Sequence, residues 1–424
     1  MPRAPHRPDH TDPGPLAAPA RPRLALGFIL ATLAIDAMGI GLILPVMPDL
    51  LQAVSGGTLA DAALWGGVLA TSYAVMQFLF APVLGNLSDR YGRRPVLLLS
   101  LAVMAAGYVV MAVTQSIWVL LAARIVGGMA AATQATANAF IADISTPEEK
   151  AGRYGLVGAA FGMGFVLGPL LGGLLGELGT RAPFLAAAGL ATANLVFGAL
   201  VLPETVPSAL RRRFELIRAN PFGALAHTGR LPGVGRLLAV YFLYEFAFVV
   251  YPATWAYFTQ ARFGWDPATI GLSLALFGIA VGVVQGGLIR TVIRVLGERA
   301  TVIYGLSFNF CAFLAMALVA DGRLGLMLIP LTALGAVVTP ALQSMMSSAA
   351  PRDAQGELQG LVSSARSVAM ILSPLAMTAI FFAFTREGAA LWFPGAPFLL
   401  SMGLMVVCGT VYVARPRAVA APAE

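Results

Sequence analysis

Four charged residues stand inside long apolar runs of this chain: Asp36, Arg124, Glu245 and Arg366. A charge in hydrocarbon is costly, so such residues face a bundle interior or an aqueous cavity and are candidates for handling ions or substrates. A carboxyl group held between a desolvating surround and a guanidinium can gain and lose a proton as its surroundings change. Asp36 lies about a dozen residues into the first apolar run, ~18 Å from its start, and Arg124 lies roughly 12 Å below the outer end of the fourth, which is the same level. The two are expected to meet. Glu245 in the seventh run and Arg366 in the eleventh each lie roughly 14 Å from the inner end and form a second possible pair. A static bridge between helices is the alternative for both pairs. Tyr241, Tyr244 and Phe248 surround Glu245 at helical spacing and suit a cavity for a planar or cationic organic molecule, whereas Trp255 and Tyr257 read as an interfacial belt. His6, His10 and His227 all lie outside the apolar runs, Cys311 and Cys408 read as small buried hydrophobes, and no metal constellation is formed.

The elements that position these groups are membrane spans. The chain has 424 residues, 58% of them hydrophobic and 11% charged, with a mean hydropathy of +0.81. A soluble domain carries about 25% charged residues, so most of this chain belongs in lipid. Apolar runs recur at about 24–46, 64–86, 95–114, 116–140, 154–178, 182–202, 236–260, 268–290, 300–320, 324–349, 357–384 and 391–413. Each approximates the ~20 residues of a spanning helix, which makes twelve. Residues 1–23 read as a disordered tail, with the first span retained and not cleaved as a signal peptide. An even count puts both termini on one side. Of the 27 Lys/Arg residues, only Arg181, Arg262, Arg323 and Arg386 fall in the opposite loops, so the termini are expected in the cytoplasm. The net charge of +7 is distributed in short clusters between apolar runs, which excludes a nucleic-acid stripe.

The segment Gly85-Asn86-Leu87-Ser88-Asp89-Arg90-Tyr91-Gly92-Arg93-Arg94-Pro95 is read as a tight charged turn at the cytoplasmic face. Gly85 and Gly92 provide sharp helix ends, Pro95 suits a first helical turn, and Asp89 can bond the neighbouring arginines. This segment resembles the signature loop between helices 2 and 3 of the major facilitator superfamily. A 205-residue shift places Gly92 on Gly297 and Arg94 on Arg299, a faint second copy in keeping with two repeated halves.

The resemblance extends to the tetracycline-resistance branch of drug:proton antiporters and covers nearly the whole chain. Asp36 to Pro48 is similar to helix 1 of those exporters, and Arg124-Ile125-Val126-Gly127-Gly128 resembles the basic helix 4 motif associated with proton transfer. The run containing Gly162, Gly164, Gly168, Pro169 and Gly172 looks like the helix 5 motif shared by exporters, although close helix packing alone would also use it. Pro340-Ala341-Leu342-Gln343 is a further matching block, and Gln285 matches a helix 8 glutamine. Tetracycline exporters carry an acid in helix 3, a histidine in helix 8 and an acid in helix 9, where this chain has Gly107, Val281 and Asn309.

The expectation is an all-α membrane protein, not an enzyme, with twelve transmembrane helices in two six-helix pseudo-symmetric halves. The halves occupy 24–202 and 236–413, joined by a cytoplasmic loop over 203–235 and followed by a tail over 414–424. The resemblance implies proton-coupled efflux of an amphipathic drug-like compound across the inner membrane by a monomer, with tetracycline left open as that compound by Gly107, Val281 and Asn309. Asp36, Arg124 and Glu245 would couple protons, and Tyr241, Tyr244, Phe248, Gln285, Asn309 and Gln343 would line the substrate cavity. Gly85, Asp89, Arg90, Gly92, Arg93 and Arg94 would form the cytoplasmic gate. No resident cofactor is expected, and a divalent metal chelated by the substrate stays open. A proton-coupled importer is the alternative, with a membrane enzyme or receptor on the same scaffold behind it.

Overall fold

The computed structural model describes residues 22–206, 211 and 233–414, so the expected tails and central loop lie largely outside the described residues. Eleven helical runs are long and apolar enough to cross a membrane, and one of them, Pro267–Leu318, has 52 residues. That run turns at Gly297, whose φ of 75° and ψ of 161° are not helical, and so contains two spans. The twelve spans are α1 (Leu24–Ser55), α2 (Leu59–Tyr91), α3 (Arg93–Val113), α4 (Ile117–Ile144), α5 (Glu148–Gly176), α6 (Ala182–Val201), α7 (Val234–Phe263), α8 (267–296), α9 (298–318), α10 (Gly322–Ala349), α11 (Gln355–Thr385) and α12 (Ala396–Val413).

The signature segment is not a loop. Helix α2 continues through Gly85, Asp89 and Arg90 to Tyr91, and only Gly92, with φ 109° and ψ 161°, leaves helical geometry. A helix satisfies its own backbone in water as in lipid, so one residue in a conformation open to glycine reverses the chain. Gly297 shares this conformation at the position 205 residues later. The same shift carries the interruption of α1 at Leu44–Val46 onto that of α7 at Val249, and the break of α4 near Ala131 onto Ala336 in α10. The repeat is therefore visible in the backbone where it is faint in the side chains.

Polar residues fix the other turns. Thr58 and Asp61 cap α2 reciprocally, Asp266 accepts from Thr269 N at 2.7 Å to start α8, and Asp321 accepts from Arg323 N and Leu324 N to start α10. Span α12 begins at Ala396, later than the apolar run suggests, because Pro394 and Gly395 still lie in the preceding turn. Trp255 and Tyr257 are buried in the bundle and do not face outward as a belt would, with Trp255 Nε1 donating to Ser273 Oγ at 2.9 Å. Cys408 is buried, but Cys311 is exposed.

The halves meet at the end of the bundle away from Gly92 and Gly297. Gln260 Nε2 donates to Asp49 Oδ1 at 2.8 Å, and Thr71 Oγ1 donates to the Ile371 carbonyl at 3.0 Å. A Cβ added to Gly173 or Gly271 would strike the backbone of the facing half. At the arginine-rich end, Gly152, Gly155, Gly158, Gly162, Gly286 and Gly287 have nothing within 4 Å of such a Cβ. A separate apolar cluster built on Phe28, Leu33, Leu101 and Phe140 closes the N-terminal half there on its own. The crevice between the halves thus opens at the arginine-rich end.

Candidate functional site

Helix α5 seats α1. A Cβ on Gly164, Gly168 or Gly172 would collide with the carbonyls of Ala34, Met38 and Leu42, so one glycine per turn of α5 lies on successive turns of α1. Close approach of this kind holds lipid-immersed helices together without a hydrophobic driving force. Pro169 lies against Gly41 on one side and Gly271 of α8 on the other, so the exporter-like stripe both places the helix of Asp36 and seals the crevice. Gly162 falls beyond the seal, where an added Cβ would meet nothing within 4 Å.

The N-terminal charges do not form the expected ion pair. The Arg124 guanidinium carbon stands 4.6 Å from the centre of the Tyr73 ring, and Arg124 Nε is buried without a hydrogen-bond partner. Gly127 and Gly128 allow this stacking, since a Cβ on Gly128 would meet the Tyr73 carbonyl at 2.5 Å. Tyr73 is within electrostatic reach of both Arg124 and Asp36. Tyr108 completes the surround, within reach of the same two charges, and its hydroxyl would stand 2.6 Å from a Cβ on Gly39, one helical turn from Asp36. The carboxyl group therefore faces the interior of the N-terminal half. Sequence reasoning missed Tyr73 and Tyr108; their signal was a phenol at mid-span, where an unneeded hydroxyl is costly.

In the C-terminal half the charges do meet. Arg366 Nε lies 3.6 Å from Glu245 Oε2, and Thr339 Oγ1 donates to Glu245 Oε1 at 2.9 Å. Tyr241 and Asn309 are fully buried and Tyr244 is 2% exposed, so these three belong to the packed core and not to an open cavity wall. Asn309 Nδ2 donates to the carbonyls of Gly305 and Gly335, at 2.8 and 2.9 Å, and Tyr244 donates to Gly335, which secures the break in α10. Phe248 is half-buried and stacks on Tyr244 with ring centres 5.7 Å apart, while Gln285 and Gln343 are exposed. Gln285 lies in a π-helical turn over Val284–Leu288. Gly107 has open space beside it, and Val281 is half-buried.

The cytoplasmic cluster forms around Arg93. Its Nη1 is 2.6 Å from Asp89 Oδ1, its Nε is 3.2 Å from Asp143 Oδ2 at the end of α4, and Ser88 accepts from it at 3.2 Å. Glu204 accepts from Arg93 N at 2.9 Å and Arg94 N at 3.3 Å, capping α3 where Gly92 leaves its N–H groups exposed. Arg94 Nη2 donates to the Ala199 carbonyl at 2.6 Å, and Arg90 lies over the Tyr91 ring. Each of these partners is in the N-terminal half except Glu204, which directly follows its last span. Asp143 and Glu204 escaped the sequence reading because they are remote in the chain from the segment they bind. A Cβ added to Gly85 would meet nothing within 4 Å. Among the described residues, no group of three or more His, Cys, Asp or Glu could hold a metal.

Residues 29–374 match the Major Facilitator Superfamily. The chain is 40% identical over 384 residues to the Tetracycline resistance protein, class C, of Escherichia coli, covering 91% of this chain and 95% of that protein. It is 39% identical to the class G protein of Vibrio anguillarum, over 83% and 89% of the two chains. Among solved structures, the human organic anion transporter MFSD10 superposes with a TM-score of 0.67 at 26% identity, covering 92% of this chain and 99% of that one.

Proposed function

This chain belongs to the Major Facilitator Superfamily, and from that premise we propose that it is a monomeric exporter of an amphipathic drug-like compound in exchange for protons. Tetracycline is the first compound to test, because the relatives named above are tetracycline resistance proteins. The observation that carries the antiport reading is the placement of Asp36 inside the N-terminal half, beside Tyr108 and Tyr73, the second of which holds the Arg124 guanidinium on its ring.

The arginine-rich end is assigned to the cytoplasm, so in this reading the crevice is open inward and both termini are cytoplasmic. In this state Tyr73 occupies the guanidinium of Arg124 and leaves Asp36 without an ionic partner. Deprotonation of Asp36 gives Arg124 a stronger attractor than a ring face, since a charged hydrogen-bonded pair in a low-dielectric site outweighs a cation–π contact. Movement of Arg124 pulls α4 against α1 and away from α2. Because α5 is locked to α1 by Gly164, Gly168 and Gly172, that shift is transmitted to the Pro169–Gly271 seal. Proton binding and release on Asp36 thereby bias which end of the crevice is open, and alternating access follows as a population shift.

The test is pH-gradient-driven tetracycline uptake into inside-out vesicles, wild type against Asp36→Asn. Uptake is expected to fall to background in the variant, while exchange of labelled for unlabelled drug across the membrane persists. Full gradient-driven uptake by Asp36→Asn would remove Asp36 from the coupling role.

A further inference from the structure

Arg366 is held differently from the other arginines whose ion pairs are described. Arg93 and Arg153 have 14% and 17% of their side chains exposed, and each is bridged, at 2.6 and 2.9 Å, by an acid four residues earlier. Arg366 is 58% exposed, and its ion-pair contact is a single Nε approach of 3.6 Å to Glu245. Glu245 is only 13% exposed and is bound from the other side by Thr339, so the acid is anchored while the guanidinium fork is left open. On α11 the flanking Ala365 and Ala369 are packed in the core, which fixes the helix and leaves only the long side chain projecting. A guanidinium this exposed at mid-span is not stable against hydrocarbon, so the space it enters is the crevice between the halves.

The surroundings are built for a polar guest. Gln343 of α10 is exposed beside the pair, and Tyr241 of α7 lies against Gln343 and within reach of the charges of both Glu245 and Arg366. The planar fork of arginine matches a carboxylate or an enolate through two parallel N–H bonds, a geometry the lone Nε contact to Glu245 does not use.

We propose that Arg366, with Gln343 beside it, is the subsite that receives an anionic group of the exported compound, a carboxylate or an enolate. This subsite rests on the export reading and specifies the charge of the cargo. Glu245 acts as the resident counter-ion: it occupies the guanidinium in the empty crevice and yields it to the guest, remaining bound to Thr339. The two acids thus have separate tasks, Asp36 carrying the proton and Glu245 competing with the cargo for Arg366.

The test is calorimetric binding to the purified full-length protein with three probes: salicylate, an aromatic carboxylate; tetracycline, which carries an enolate; and ethidium, a permanent cation without an anionic group. Arg366→Gln is expected to weaken salicylate and tetracycline by about tenfold to a hundredfold and to leave ethidium unchanged, with partial recovery in Arg366→Lys. Glu245→Gln is expected to tighten both anionic probes, an opposite shift that a merely structural bridge would not produce. The subsite is overturned if Arg366→Gln weakens all three probes alike, if Glu245→Gln weakens the anions as Arg366→Gln does, or if the wild type binds neither anionic probe. Anion binding that depends on Arg366 in a protein showing no proton-driven uptake would support the subsite and remove the antiport reading.

Discussion

In the N-terminal half Arg124 rests on the Tyr73 ring and Asp36 has no ionic partner, whereas in the C-terminal half Arg366 and Glu245 touch at 3.6 Å. The 205-residue shift that relates the halves carries Asp36 onto Tyr241, so the second half has a phenol where the first has its acid and sets its own acid one turn later. Charges kept apart by a competing contact are ready to be joined, and a proton decides when. Charges already joined by one long contact are ready to be separated, and an anionic guest decides when. The cytoplasmic turns differ in the same sense. Arg93 is neutralised by Asp89 and Asp143 and its helix is capped by Glu204, while Gly297 repeats the backbone turn with Glu298 in the place of Arg93, bonded instead by Ser344.

The sharpest way to break this comparison is to neutralise the two acids separately. Asp36→Asn is expected to abolish proton-driven uptake, and Glu245→Gln to change it by about threefold or less, in keeping with a partly exposed ion pair. Equal loss in both would make the acids equivalent.

Removing the competing contact is the next largest change. Tyr73→Leu deletes a desolvated cation–π interaction of about 2 kcal/mol, so Arg124 should fall onto Asp36 and lower gradient-driven uptake by about thirtyfold. Tyr73→Phe keeps the ring and should keep most of the activity. If uptake follows the hydroxyl and not the ring, Arg124 is not held as described.

A third contrast concerns the turns, with thermal stability of the purified protein as the readout. Gly92→Ala forces a side chain into a positive-φ conformation and against Glu204, at a cost of about 2–3 kcal/mol, while Gly297→Ala meets the strain without the collision and should cost about 1 kcal/mol. Glu204→Gln, which keeps an acceptor but loses the charge at the start of α3, should cost less still, about 0.5–1 kcal/mol. A larger effect at Gly297 than at Gly92 would contradict the asymmetry.

Asp36, Arg124, Glu245 and Arg366 were legible as candidates because each interrupts an apolar run, and hydrophobicity is a property of the sequence. The signature segment was legible as a motif but not as a shape, since a polar run of helix past the lipid and a loop have the same composition. Asp143 and Glu204 were not legible as its partners, because contacts across tens of residues depend on how α3, α4 and α6 pack. The aromatic residues around Glu245 were over-read: aromatic rings beside an acid look the same in sequence whether they line a cavity or, like Tyr241 and Tyr244, fill the core.

The sequence by itself determined how many spans the chain folds into and where along each span a charge stands, because both follow from counting residues at 1.5 Å per step along a helix. Only the tertiary structure decided which charge faces which partner. Helix rotation is not encoded in depth; it is set by contacts from other helices, here Gly164, Gly168 and Gly172 against α1 and Gly128 against Tyr73. A turn of either helix about its axis would keep every depth and exchange every neighbour.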